Sequence, residues 1–177
     1  METTRRTAAK AALQRFIDAY NRHDAAACAA IYADGASLWD QPWNETHEGR
    51  DSIRAHYQRE FTASPDIELS LRATYESEDS LCCEFSVRGT HDGDWRGLPA
   101  TGNRFETSSW TAIRVSPDGT QVVESRFEYD RATVFHQIGV LHDPNSLLGK
   151  ALTVLSHPVT MARAAKKRIS VRPGAPH

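Results

Sequence analysis

Between residues 67 and 88 apolar side chains recur on every second position in two runs, and this alternation limits the chain to a fold built on half-buried strands. Ile67, Leu69, Leu71, Ala73 and Tyr75 alternate without a break, and a polar Ser77-Glu78-Asp79-Ser80 turn follows. Leu81, Cys83, Phe85 and Val87 then alternate against Cys82, Glu84, Ser86 and Arg88. Gly89 to Gly102 is a turn-rich excursion. Two further strands, Phe105 to Val115 and Gln121 to Asp130, flank Ser116-Pro117-Asp118-Gly119, a hairpin signal. One face of such a meander needs a cover, and the preceding residues supply it. Leu13, Phe16, Ile17 and Tyr20 make a helical stripe within residues 7–20. Asp24 is placed to cap a second helix from Ala25 to about Ala33, and Asp51 a third carrying Ile53, Tyr57 and Phe61. Residues 36–48 read as a short strand and a loop. Helices followed by an antiparallel meander define an α+β fold with helices on one face of a bent sheet.

The carboxyl-terminal part reads differently. Leu148 to Arg168 is expected to be helical with a break near Pro158, so the chain divides into a domain at 1–144 and a helical basic extension at 145–177. Five of the 21 basic residues follow Thr160, where no acidic residue occurs; the other 16 face 23 acidic ones, net −7. That balance argues against nucleic acid as a partner of the body and leaves only the tail to touch an anionic membrane surface. Cys28, Cys82 and Cys83 form no disulfide framework or metal-type spacing, no N-terminal apolar run precedes a small-residue cleavage site, and no apolar run reaches membrane length; a cytoplasmic protein is expected.

Several residues are candidates for chemistry. On the last strand Glu124, Arg126, Glu128 and Asp130 share one face, and Val123, Ser125, Phe127 and Tyr129 the other. The charged set reads either as a solvated sheet face or as a polar cluster at a pocket floor, where Arg126 holds one carboxylate ionised while a neighbour's pKa rises. His91, within Gly89-Thr90-His91-Asp92-Gly93, is either a proton shuttle or a hydrogen-bond partner that stabilises its loop. Trp110 suits a pocket or a core. Asn21, His23, Asp24, Trp39, Asp40, Trp43, Asn44 and His47 converge if the helices pack on the first strand. His23, Asp40 and His47 lack the spacing of a zinc or facial-triad motif, so no metal is expected. Phosphate loop, dinucleotide fingerprint and nucleophile elbow are all missing.

Gly89-Thr90-His91-Asp92-Gly93, Gly97-Leu98-Pro99-Ala100-Thr101-Gly102, Asp118-Gly119, Glu124, Tyr129-Asp130 and Gln137-Ile138-Gly139 together resemble the SnoaL-like polyketide cyclases, as does Tyr20-Asn21-Arg22-His23-Asp24. These belong to the superfamily named after nuclear transport factor 2, and the resemblance covers about residues 8–140. It implies a cone of curved sheet and three helices, commonly a homodimer, enclosing a hydrophobic polyketide-like or steroid-like ligand. It also implies cofactor-free acid/base chemistry, with Asp130 at the position of the family's general acid/base. Two residues earlier the cyclases often carry histidine, where this chain has Glu128. In this scheme Arg126 steadies an enolate, His91 shuttles protons, and Tyr20, Trp39, Trp43, Tyr57 and Trp110 shape a pocket for flat rings. A related hydrolase, dehydratase or hydroxylation accessory protein, and a non-catalytic binding or scaffold protein, remain the competing readings.

Overall fold

The computed structural model describes residues 2–77 and 79–142, with isolated positions at 146, 147, 149, 155 and 159. It divides into two compact units, Met1–Gly139 and Val140–His177. The expected helix from Leu148 to Arg168 falls in the second unit and lies outside the described residues, apart from single helical positions such as Leu155. Among the described residues no helix is long and apolar enough to cross a membrane.

In the first unit, α1 (Glu2–Asn21) and α2 (Ala25–Ala30) precede β1 (Tyr32–Asp40), a 3-10 turn at Gln41–Trp43, β2 (Glu45–Glu48) and α3 (Gly49–Ala63). Then come β3 (Glu68–Glu76), β4 (Ser80–Thr90), β5 (Arg104–Val115), β6 (Val122–Tyr129) and a short α4 (Arg131–Gln137). The six strands form one sheet in the order β2-β1-β6-β5-β4-β3. It is mixed, because β1 runs parallel to β6 while the other pairs are antiparallel. The expected α+β architecture, a curved sheet covered by helices, is what forms.

Local chemistry explains most boundaries. Asp24 caps α2 as expected, its Oδ1 accepting from the Ala27 amide at 2.9 Å. The helix stops at Ala30, short of Ala33, because Ile31 and Tyr32 join the sheet: the Ile31 carbonyl accepts from Val122 N at 3.0 Å, and Tyr32 pairs with Val122. Asp51 lies inside the first turn of α3 rather than capping it, and the capping position belongs to Glu48.

The strict alternation of β3 does not survive folding. A register shift between Leu71 and Ala73 moves the later residues to the other face. Leu69 is buried, whereas Tyr75 is 56% exposed and stacks on Trp110, itself 42% exposed, on the outer side of the sheet.

The excursion between β4 and β5 is fastened at both ends. His91 N donates to the Asn103 carbonyl at 2.9 Å, and the His91 carbonyl accepts from Thr101 and Gly102 amides at 3.0 Å. Gly93 N donates to the Ala63 carbonyl at 3.0 Å, pinning the loop to the end of α3. A β-carbon at Gly93 would sit 1.9 Å from the Thr62 carbonyl oxygen, so only glycine allows this approach. Gly93→Ala is therefore expected to lift the loop and lower stability by about 1–3 kcal/mol in a urea melt. An unchanged midpoint would show that the loop is not held at this contact.

Candidate active site

A cavity of about 110 Å³ lies between the inner face of the sheet and the helices, below the ~300–1,000 Å³ of pockets that enclose drug-sized ligands. Its wall is mostly apolar, and several hydroxyls in it satisfy one another. Tyr32 Oη lies 2.9 Å from Tyr57 Oη and 3.1 Å from Ser125 Oγ. Tyr20 and Phe61 meet edge to face at 5.1 Å. Tyr20 and Tyr57 line the cavity.

The polar part of the wall is built by α3, β1 and β2. His56 and Glu60 are one helical turn apart on α3, and both line the cavity. Asp40 ends β1, and His47 in β2 pairs with Leu38 of β1. Asp40 is 1% exposed, His56 2% and His47 6%, so three titratable groups share one dry region. His56 Nε2 lies 3.5 Å from Glu60 Oε1, and His56 Nδ1 lies 3.8 Å from Asp40 Oδ2. The His47 and His56 rings are 4.7 Å apart. The Tyr20 hydroxyl donates to Glu60 Oε2 at 3.2 Å. Arg96, from the loop pinned by Gly93, reaches Asp40 Oδ2 at 3.2 Å and also bonds Glu45.

Burial sets the protonation states. It pushes the Glu60 carboxyl up to about 8, helped by the charge of Asp40 and opposed by the Tyr20 hydrogen bond. It also raises Asp40, to about 6, against the pull of the Arg96 guanidinium. The imidazole of His56 is held well below its ordinary value, first by burial and then by His47 and the guanidinium charges of Arg59 and Arg96. His47 is lowered mainly by burial. At neutral pH the cavity therefore faces a largely protonated carboxylic acid beside a neutral imidazole.

Asp40, His47 and His56 also bring three potential metal-ligand atoms within 4.8 Å of one another. The Arg96 guanidinium already neutralises Asp40 there, and the charges of Arg59 and Arg96 bear on both imidazoles. That positive environment opposes a dication.

The residues first singled out for catalysis lie elsewhere. Asp130 is exposed and caps α4, its Oδ1 accepting from Thr133 N at 3.1 Å and its Oδ2 from Thr133 Oγ1 at 2.6 Å. These bonds hold its carboxyl below the ordinary range, the opposite of what a proton carrier at neutral pH needs. The reason is topological: the chain turns into α4 at Asp130, and that helix carried no clear signal. Glu128 and Arg126 are exposed on the outer face of β6, whose other face sends Ser125, Phe127 and Tyr129 into the cavity wall. The solvated-face reading of this strand is the one the structure favours. Arg126 lies over the Trp39 ring at 4.2 Å and bonds Gln41 through Nε at 2.8 Å.

His91 is fully buried within its loop, where Nδ1 lies 3.2 Å from Thr101 Oγ1, and is not part of the cavity lining. His23 stays apart from Asp40 and His47, with Nε2 2.8 Å from the Ile67 carbonyl. Trp43 adjoins the polar cluster: its indole N–H donates to Tyr129 Oη at 3.2 Å, and Arg96 and Arg131 lie 4.4 and 4.7 Å from its ring centroid. Of the tryptophans only Trp95, not picked out beforehand, lines the cavity. His56 and Glu60 were also missed. A polar pair at i, i+4 directly beside the Ile53, Tyr57 and Phe61 stripe was the available signal.

No curated protein sequence matches significantly. TsrD from Streptomyces laurentii is similar in structure at TM-score 0.67 and 21% identity, over 77% of this chain and 98% of that one. A putative polyketide cyclase, IdmH from Streptomyces antibioticus, gives TM-score 0.63 and 21% identity, over 75% and 99%. A Catenulispora acidiphila protein with a ketosteroid isomerase-like fold gives TM-score 0.64 and 16% identity, over 73% and 92%. At these identities the structural matches establish the fold. The sequence profile of the SnoaL-like polyketide cyclases matches residues 10–138, most of the chain, and the protein belongs to that family.

Proposed function

We propose that this protein is a cofactor-independent cyclase or isomerase acting on a small hydrophobic carbonyl compound, with Glu60 as its proton carrier. One observation carries the reading: a carboxyl raised to about 8 lines an apolar cavity, between a tyrosine hydroxyl and a neutral imidazole. Near neutrality both forms of such a group are populated, the condition for efficient transfer in either direction. Family membership supports the reaction class.

The steps balance without an outside reagent. Glu60 as carboxylate removes a proton alpha to the substrate carbonyl, leaving an enolate and a neutral carboxylic acid. In an isomerisation the acid returns that proton to another carbon of the conjugated system. In a cyclisation the enolate carbon attacks a second carbonyl within the same molecule, and the acid protonates the resulting alkoxide. The Tyr20 hydroxyl holds Oε2 and so orients the carboxyl. His56 presents a neutral nitrogen beside Oε1. Asp40 and Arg96 steady the far side of that ring. The dry wall keeps water from quenching the enolate.

Exchange of ketone alpha-hydrogens for deuterium, followed by proton NMR in heavy water, tests this directly. Glu60→Gln is expected to slow protein-catalysed exchange by about 100-fold or more, while Asp130→Asn stays within about twofold of the parent. Full exchange in Glu60→Gln would remove Glu60 from the mechanism. Tyr20→Phe deletes a hydrogen bond that lowers the Glu60 pKa, so the pH profile of exchange should move to higher pH.

Stability supplies an independent check. The folded pKa of Glu60 is raised, so between its ordinary 4.5 and about 8 the folded chain holds a proton that the unfolded chain has released. Its contribution is full at the acid end of that window and is lost as pH rises through it. Glu60→Gln removes this loss. The melting temperature of the variant relative to the parent should climb between pH 5 and 8.5, by several degrees. A pH-independent difference would mean that Glu60 titrates as an ordinary carboxylate.

A further inference from the structure

We propose that His56, Asp40, His47 and Glu45 form a proton path between Glu60 and solvent. The proposal rests on Glu60 as the proton carrier and adds how that carboxyl is emptied and refilled. At neutral pH most Glu60 carboxyls hold a proton, which must leave before the group can act as a base. Tyr20, at Oε2, offers no exit, because burial holds its hydroxyl well above the ordinary value. The exit lies at Oε1, where His56 Nε2 stands 3.5 Å away.

From there titratable side chains lead to the surface: His56 on α3, Asp40 at the end of β1, and His47 and Glu45 on β2. His56 Nδ1 is 3.8 Å from Asp40 Oδ2. That carboxylate is fixed in place, Oδ1 accepting from Trp43 N at 3.3 Å and Oδ2 from Arg96 at 3.2 Å. A nitrogen of each imidazole lies within 4.8 Å of the other and of an Asp40 oxygen, a span that one water bridges. His47 Nε2 is 3.8 Å from Glu45 Oε2, and the Glu45 side chain is 43% exposed. The row thus begins at the cavity wall and ends in solvent. Its direct gaps are a little longer than hydrogen bonds, as proton-transfer contacts often are before substrate binds.

The ring nitrogens explain why the row is polar. Among the described residues His47 Nε2 and both ring nitrogens of His56 are buried without a hydrogen-bond partner. Atoms left in that state cost stability, which apolar side chains of similar size would not. An imidazole can take a proton on one nitrogen and release another from the opposite one. Glu60 passes its proton to His56 Nε2 as the Nδ1 proton passes to Asp40 Oδ2. The ring stays neutral and Glu60 is left as the carboxylate. Asp40 hands the proton on through His47 to Glu45 and a solvent base. Uptake reverses these steps and restores the first tautomer. Burial keeps both imidazoles neutral and therefore able to accept.

Carbon-13 NMR of the full chain, labelled at glutamate carboxyl carbons and held in phosphate buffer, reads the exchange rate. The observable is the width of the Glu60 resonance at its titration midpoint, with Glu60→Gln to assign it. The parent should show one averaged line. His47→Gln interrupts the row away from Glu60 and should slow exchange by about tenfold or more, broadening or splitting the line. If that variant fails to fold, His56→Gln interrupts the neighbouring link and carries the same expectation. A wall merely loosened by the substitution would admit water and leave the line sharp. Equal widths in parent and variant overturn the path even when Glu60 titrates near 8, as do two separate lines in the parent. Titration near the ordinary 4.5 overturns the proton-carrier reading itself and takes the path with it.

Discussion

A buried carboxylate is tolerable only if something compensates it, and at Asp40 that something is the Arg96 guanidinium. Asp40 ends β1 almost without exposure, with two buried imidazoles each presenting a nitrogen within 4.8 Å of its carboxylate. Arg96 reaches it from a distant loop, bridges to Glu45 on β2 and rests on the face of Trp43. The backbone pays for this reach with a left-handed conformation at Arg96, φ 56°, an uncommon one for a side chain of that size. The loop can make the approach because Gly93 lets it touch the end of α3. Sheet, helix and loop thus converge on one ion pair, and the charge balance around His56 and Glu60 follows from it.

Apolar walls and polar groups divide the work at this site. Desolvation raises Glu60 and lowers His56, so both are neutral where an exposed pair of the same residues would be ionised or half-ionised. A carboxyl poised between its neutral and ionised forms beside a neutral imidazole can take a proton from the substrate and return it. The outer face of the sheet carries charges too, including Glu128 and Arg126, but solvent surrounds them. Asp130 shows the same contrast: its hydrogen bonds to Thr133 favour the ionised form and serve α4.

Much of this fold was legible because its determinants are local. Period-two alternation located β4, the hairpin turn at residues 116–119 located β5 and β6, the stripe of Ile53, Tyr57 and Phe61 located α3, and Asp24 marked the start of α2. The misplaced features were decided by tertiary contacts. Pairing of Tyr32 with Val122 ended α2 early, and the β3 bulge turned Tyr75 outward although nothing in the alternation announces it. The site divided in the same way. Tyr20 and Tyr57 were candidates for a pocket wall, and Asp40 and His47 for a cluster formed where the helices pack on the first strand. Glu60 and His56 carried no reading in the sequence, and only the packing of α3 against the sheet brings them to the cavity wall. Asp130 fitted the family pattern by position, and only the turn into α4 showed that it points to solvent.

The central claim is that the Glu60 carboxyl keeps its proton at neutral pH. Carbon-13 NMR titration of protein labelled at glutamate carboxyl carbons, with Glu60→Gln to assign the resonance, measures it directly. A Glu60 signal that titrates near 8, displaced toward higher pH in Tyr20→Phe, is the result expected. Titration near the ordinary 4.5 would show a solvated carboxylate at the cavity wall and contradict Glu60 as a proton carrier.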